Sequence, residues 1–161
     1  MENVVKVGMA DLKVLKHPGM LTTLGLGSCV GIALYDNVYK VIGMAHIMLP
    51  NSQQARNAVN IAKFANTAIE KLVTDMIKHG AKKRNIIAKL AGGAQMFAFA
   101  NASDIMRIGS RNVASTKEKL KELDIRIVAE DTGGNYGRTV ELYSDDGRLL
   151  IRTIGKGIKY I

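Results

Sequence analysis

The chain has 161 residues, 47% of them hydrophobic and 23% charged, which excludes a disordered or fibrous chain and suggests one globular domain over 1–161. A single cysteine excludes an internal disulfide and points to a reducing, cytoplasmic setting. The formal charge of +9 favours acidic partners, while three Phe, five Tyr and no Trp, none interleaved with the basic residues, argue against stacking on nucleic acid.

The first residues, "MENVVKVGMADLKVLKHPG", carry an early acid and spaced lysines rather than the apolar core of a signal peptide. "VVKVG" and "MLTTLGL" read as strands separated by a turn at His17-Pro18-Gly19. "CVGIALYD" and "YKVIGMAHIML" are two more strands with a tight connection between Asp36 and Tyr39. The longest apolar run, "VIGMAHIMLP", is about half of the ~20 residues a membrane helix needs, so no insertion into a membrane is expected. Over 57–79 the period changes. Ala58, Ala62, Ala65, Ile69, Leu72, Val73 and Met76 recur at helical spacing, and Gly80 is placed to end the helix. "NIIAKLAGG" is a buried strand and "AQMFAF" a short helix or loop. A second helix is expected over 110–123, with Val113, Leu120 and Leu123 inward and its lysines outward. "IRIVAED" is a strand, and "RTVELYSDDGRLLIRTIG" a hairpin around Asp146-Gly147. The pattern predicts an α+β domain, mostly antiparallel sheet with two helices packed on one side.

The lone cysteine, Cys29, sits in "TTLGLGSCVG" with Gly25, Gly27, Gly31 and, further on, Gly43 around it. If the hairpin has a two- or four-residue loop centred on Asn37-Val38, of which the turn chemistry favours the four-residue form, Asp36 faces Tyr39 and Cys29 faces His46 on one side of the sheet, with Cβ atoms about 5 Å apart. A loop one residue longer or shorter would put them on opposite faces. Glycines beside the thiol would leave room for another chain's backbone to approach. An imidazole in reach of a thiol can take its proton, protonate a leaving amine, then activate water. A hydroxyl on the preceding segment, Thr22, Thr23 or Ser28, could orient the ring. The plainer alternatives are a thiol that fills space and a hydrogen-bonded core histidine. His17, in a turn, and His79, near a helix C-terminus, read as structural. Three dispersed histidines and one cysteine have no metal-ligand spacing, and "GLGS" and "AGGA" fit neither nucleotide-binding pattern, so no metal or cofactor is expected. Asn112 reads as a candidate N-cap of the second helix.

"TLGLGSCV", "MAHIMLP", "AGGAQMF", "IGSRN" and "EDTGGNYGR", in this order, together resemble the CheD family, the chemoreceptor glutamine deamidases. The resemblance runs over nearly the whole chain. It implies hydrolysis of selected glutamine side chains of methyl-accepting chemoreceptors to glutamate and ammonia, through a thioester on the cysteine. It places the nucleophile on Cys29, the base on His46 and the third member on Thr23. It implies a fold similar to the deamidating cytotoxic necrotizing factors, a sheet sandwich flanked by helices. It also implies activity on receptor methyl esters in some members, and a partner, the phosphatase CheC, which restrains the deamidase. Residues 51–60 match less closely, and the glycine-rich segments either line the cleft or are tight turns. Two rival readings stand beside this one: a non-catalytic chemotaxis module acting through CheC, and a basic nucleic-acid-binding domain.

Overall fold

A computed structural model describes residues 3–52, 60–96 and 107–161. Two five-stranded sheets form among them. The first runs β1 (Asn3–Lys6), β3 (Gly19–Leu26), β8 (Arg138–Tyr143), β9 (Leu149–Thr153) and β10 (Gly157–Tyr160). The second runs β2 (Asp11–Lys16), β5 (Val41–Ile47), β4 (Val30–Asp36), β6 (Ile86–Gly92) and β7 (Arg126–Thr132). Both are mixed: β1–β3 and β6–β7 are parallel, and the other six pairs among the described residues are antiparallel. Helices α1 (Ala65–Lys78) and α2 (Ile108–Glu122) pack on the second sheet. The α+β class and the one-sided helices therefore agree with the sequence.

Why β4 and β5 read as unbroken apolar runs is now clear: both strands are buried on both faces. Ile32, Leu34, Ala45 and Ile47 point to the helices, against Leu72, Met76 and Leu120. Ala33, Tyr35, Ile42 and Met44 point to the first sheet, against Leu21, Leu142, Leu149 and Ile151.

Three local expectations change. "DLKVLK" is a strand, β2, pairing antiparallel with β5. It is an edge strand whose lysines keep its open side polar, which hides its apolar alternation. The first helix begins at Ala65 instead of near 57. Asn60 Oδ1 accepts from Ala62 N to cap a 3-10 turn over Ile61–Lys63, and Phe64 is extended at φ −112°, so Ala62 belongs to the turn. Residues 57–59 of the expected helical stretch, and 97–99 of "AQMFAF", lie outside the described residues. In α2, Lys117 and Lys121 face outward, but Lys119 is buried and pairs with Glu70 of α1 at 2.5 Å and with Glu122 at 3.3 Å. A lysine stem can fill a helix interface when carboxylates meet its ammonium at the rim.

The C-terminal end of α1 and the last hairpin follow the sequence reading. Gly80 N donates to Ile77 O and Ala81 N to Met76 O, closing α1. β8 and β9 pair antiparallel around Asp146 and Gly147.

Candidate functional site

The site is built at the open end of the β4–β5 hairpin. Its register is set at the other end by Asp36, which is fully buried. Asp36 Oδ1 accepts from Val38 N at 2.9 Å and Tyr39 N at 3.0 Å, and Oδ2 from Lys82 N at 2.8 Å. The carboxylate thereby holds a four-residue turn over 37–40, with Lys40 at φ 56°, and Asp36 faces Val41 instead of Tyr39. The whole ladder is displaced by two from the sequence-based register, and His46 faces Gly31 instead of Cys29. A shift of two preserves the face. Cys29 and His46 still lie on the side that meets the first sheet, as a diagonal pair just past the last rung, Val30↔Ile47. Diagonal neighbours stand roughly 7 Å apart, a span within reach of an aromatic ring.

The third residue comes from the opposite layer. Thr23 lies on β3 in the first sheet, and Thr23 Oγ1 sits 2.7 Å from His46 Nδ1, across the space between the sheets. The same hydroxyl donates to Val7 O at 2.7 Å. Having spent its only proton there, it can only accept from the ring. Nδ1 therefore carries the imidazole hydrogen and Nε2 keeps its lone pair. Nε2 is buried and has no hydrogen-bond partner among the described residues. Of the three hydroxyls considered, Thr23 alone meets the ring; Thr22 donates to Val140 O instead.

Cys29 ends the short passage from β3 in one sheet to β4 in the other, and only 9% of its surface is exposed. Two of the glycines named around it, Gly31 and Gly43, do not open it to another chain. The space over Gly31 is filled by Leu26, and that over Gly43 by Leu72 and Met76 on the helix side of the sheet. The close approach is made by "AGGA". Gly93 N donates to Cys29 O at 2.8 Å and Ala94 N to Gly27 O at 2.9 Å. Gly92 has φ +103°, and a Cβ there would lie 2.3 Å from Cys29 O. "EDTGGNYGR" closes the ring: Gly133 N donates to Gly92 O at 3.0 Å, and Gln95 N to Gly134 O at 2.9 Å. Arg138, fully buried, donates to Gly133 O at 2.9 Å and pairs with Asp131 at 3.3 Å. Four of the sequence motifs, far apart in the chain, thus converge on one place.

Burial pushes the Cys29 thiol up from its ordinary value, with its own backbone amide opposing this more weakly. Burial pushes the His46 imidazole down. Both shifts favour the neutral forms, thiol and imidazole. The sign for stability follows. The unfolded chain binds a proton at His46 below about pH 6.5 while the folded chain resists it, so stability falls as pH drops below that value. Above about pH 8.5 the unfolded thiol ionises first, so stability falls again. We expect a stability plateau between these limits, with His46→Gln flattening the acid limb. Urea denaturation from pH 5 to 9 measures it, and an acid limb unchanged in His46→Gln would refute the assignment.

Comparison with known proteins completes the description. Residues 48–153 match the family described as "CheD chemotactic sensory transduction". The "Probable chemoreceptor glutamine deamidase CheD" of Caldanaerobacter subterraneus subsp. tengcongensis is 63% identical over 98% of both chains. The "Chemoreceptor glutamine deamidase CheD" of Halalkalibacterium halodurans is 54% identical over the full length of both. Among solved structures, a Neisseria meningitidis protein of the DUF152 family superposes with a TM-score of 0.55 over 84% of this chain and 65% of its own, at 10% identity, a likeness of fold alone. No helix among the described residues is long and apolar enough to cross a membrane.

Proposed function

Because the chain belongs to the CheD family, we propose that it is a chemoreceptor glutamine deamidase, with Cys29 as nucleophile, His46 as general base and Thr23 as the residue that orients the ring. The observation that carries this reading is the Thr23–His46 hydrogen bond, which leaves a buried, unpartnered Nε2 on the face that Cys29 shares. In the proposed reaction, Nε2 takes the thiol proton as sulfur attacks the carboxamide carbon of a glutamine. The Cys29 amide N–H, which favours the ionised form of its own thiol, serves in this reading as a donor to the oxyanion. The imidazolium returns its proton to the leaving nitrogen, releasing ammonia and a thioester. Nε2 then takes a proton from water, the hydroxide adds to the thioester, and glutamate leaves with the thiol restored.

The whole chain acts as one such domain, in the cytoplasm, where receptor signalling tails are found. Kinship of its sandwich with the cytotoxic necrotizing factors belongs to the same proposal, resting on the family resemblance. So does CheC as a restraining partner. A module acting only by binding CheC would function equally well without its thiol. Mass spectrometry of a chemoreceptor cytoplasmic domain from the same organism, incubated with the protein, tests the reading. Conversion of discrete glutamines to glutamate supports it. Unchanged glutamines overturn it and favour the binding module.

The orienting role makes its own prediction. Thr23→Val keeps the shape but leaves Nδ1–H and Val7 O without their shared partner. A lost outer contact of this kind costs about tenfold to a hundredfold in activity. Thr23→Ser, which restores the hydroxyl, is expected to recover most of it. Equal rates for the Val and Ser variants would remove Thr23 from the site.

A further inference from the structure

Asn112 is fully buried on the inner side of α2. Its side-chain nitrogen donates to Ser28 O at 2.9 Å and to Met48 O at 3.0 Å. Both partners are carbonyl oxygens, which only accept, so the amide must present its nitrogen to them. Ser28 immediately precedes Cys29, and Met48 follows His46 by two residues. The β4–β5 ladder ends at Val30↔Ile47. Beyond that rung the two chains part: one crosses back toward β3, and the other turns to α1, with Met48 N donating to Lys63 O. A pair of side-chain bonds thus closes the hairpin where the backbone supplies none. Asn112 Oδ1 has no partner among the described residues. A buried amide is costly unless it is used, and the two N–H bonds are its use here.

We infer that Asn112 is a positioning residue: it clamps the segment before the thiol to the segment after the imidazole and so sets the diagonal spacing of Cys29 and His46. Cys29 is not held by the ladder itself, since β4 starts one residue later. The sequence reading of Asn112 as an N-cap does not hold, because α2 starts at Ile108 with Arg107 in the capping position. This inference rests on the reading of Cys29 and His46 as nucleophile and base.

A neighbour supplies the control. Thr116 lies one turn further along α2, is equally buried, and its hydroxyl has no partner among the described residues. Thr116→Val perturbs the same helix face without touching Ser28 or Met48. Four proteins are compared: wild type, Asn112→Ala, Asn112→Gln and Thr116→Val. The readouts are folding by circular dichroism, kcat and KM for receptor deamidation, and the rate of Cys29 alkylation by iodoacetamide at pH 7. Both Asn112 variants are expected to lose about tenfold or more in kcat and in alkylation rate, with KM within about twofold. Thr116→Val is expected to match wild type in all three. Should Asn112→Ala fail to fold, Asn112→Gln, which keeps both donors on a longer stem, decides by the same rates. Folded Asn112 variants with wild-type rates would overturn the inference, as would an equal loss in Thr116→Val. His46→Ala separates the two levels. If it leaves alkylation unchanged, the nucleophile–base reading fails. If it slows alkylation while the folded Asn112 variants do not, only the clamp fails.

Discussion

Cys29→Ala is expected to lower the deamidation rate by about 10⁴-fold or more, and His46→Ala by a comparable factor, because residues that act as a unit fail as a unit. The loss should fall on kcat, since both side chains are buried and contribute little exposed surface for binding. The pH behaviour carries more information. Burial raises the thiol and lowers the imidazole, so the resting pair is neutral rather than an ion pair. Alkylation of Cys29 should therefore keep climbing past pH 8.5, the ordinary thiol range. The acid limb of kcat/KM should lie below pH 6.5, because Nε2 stays unprotonated further into acid than a free imidazole does. A stopped-flow alkylation profile measures the first, and a kcat/KM profile the second. A thiolate plateau already present at pH 5 would mean a preformed ion pair and would contradict the neutral one.

A second large effect is expected far from either ring. Gly92→Ala combines a left-handed backbone with a clash, since its Cβ would lie 2.3 Å from Cys29 O. Gly133 has a similar conformation, φ +84°, with nothing within 4 Å of the added carbon. Gly133→Ala should cost only the conformational strain, about 1–2 kcal/mol. Gly92→Ala should cost at least about twice that, because the intruding carbon meets backbone rather than a flexible side chain. It should also depress the alkylation rate of whatever protein remains folded, since the atom displaced belongs to Cys29 itself. Denaturation of the two variants side by side makes the comparison. Costs within a few tenths of a kcal/mol of each other would show that the Cys29 carbonyl yields freely.

Much of the site was legible in sequence because part of it is local. The face shared by Cys29 and His46 depends only on the parity of a hairpin, and parity survives an error of two in register. The error itself came from Asp36. Its carboxylate caps a four-residue turn, and whether a side chain does so depends on Lys82 N, 46 residues away, holding its other oxygen. The remaining contacts could not be read from any local pattern. Thr23 reaches His46 only because the chain changes sheets between β3 and β4. Gly92 and Gly93 meet the Cys29 carbonyl only because β6 is the neighbour of β4. Asn112, which reads as a helix cap, turns inward onto Ser28 and Met48 because α2 lies over the open end of the hairpin.

By itself, then, the sequence determined the α+β class, most of the strands, most of each helix face and the side of the sheet on which thiol and imidazole lie. These follow from periods of 2 and 3.6 residues, which the chain carries locally. Tertiary structure alone decided which hydroxyl orients the ring, which nitrogen is left bare, which glycines crowd the thiol's carbonyl and which amide closes the hairpin. Each of these is a hydrogen bond or a close approach between segments distant in the chain, and such contacts exist only once the two sheets and the helix layer have packed.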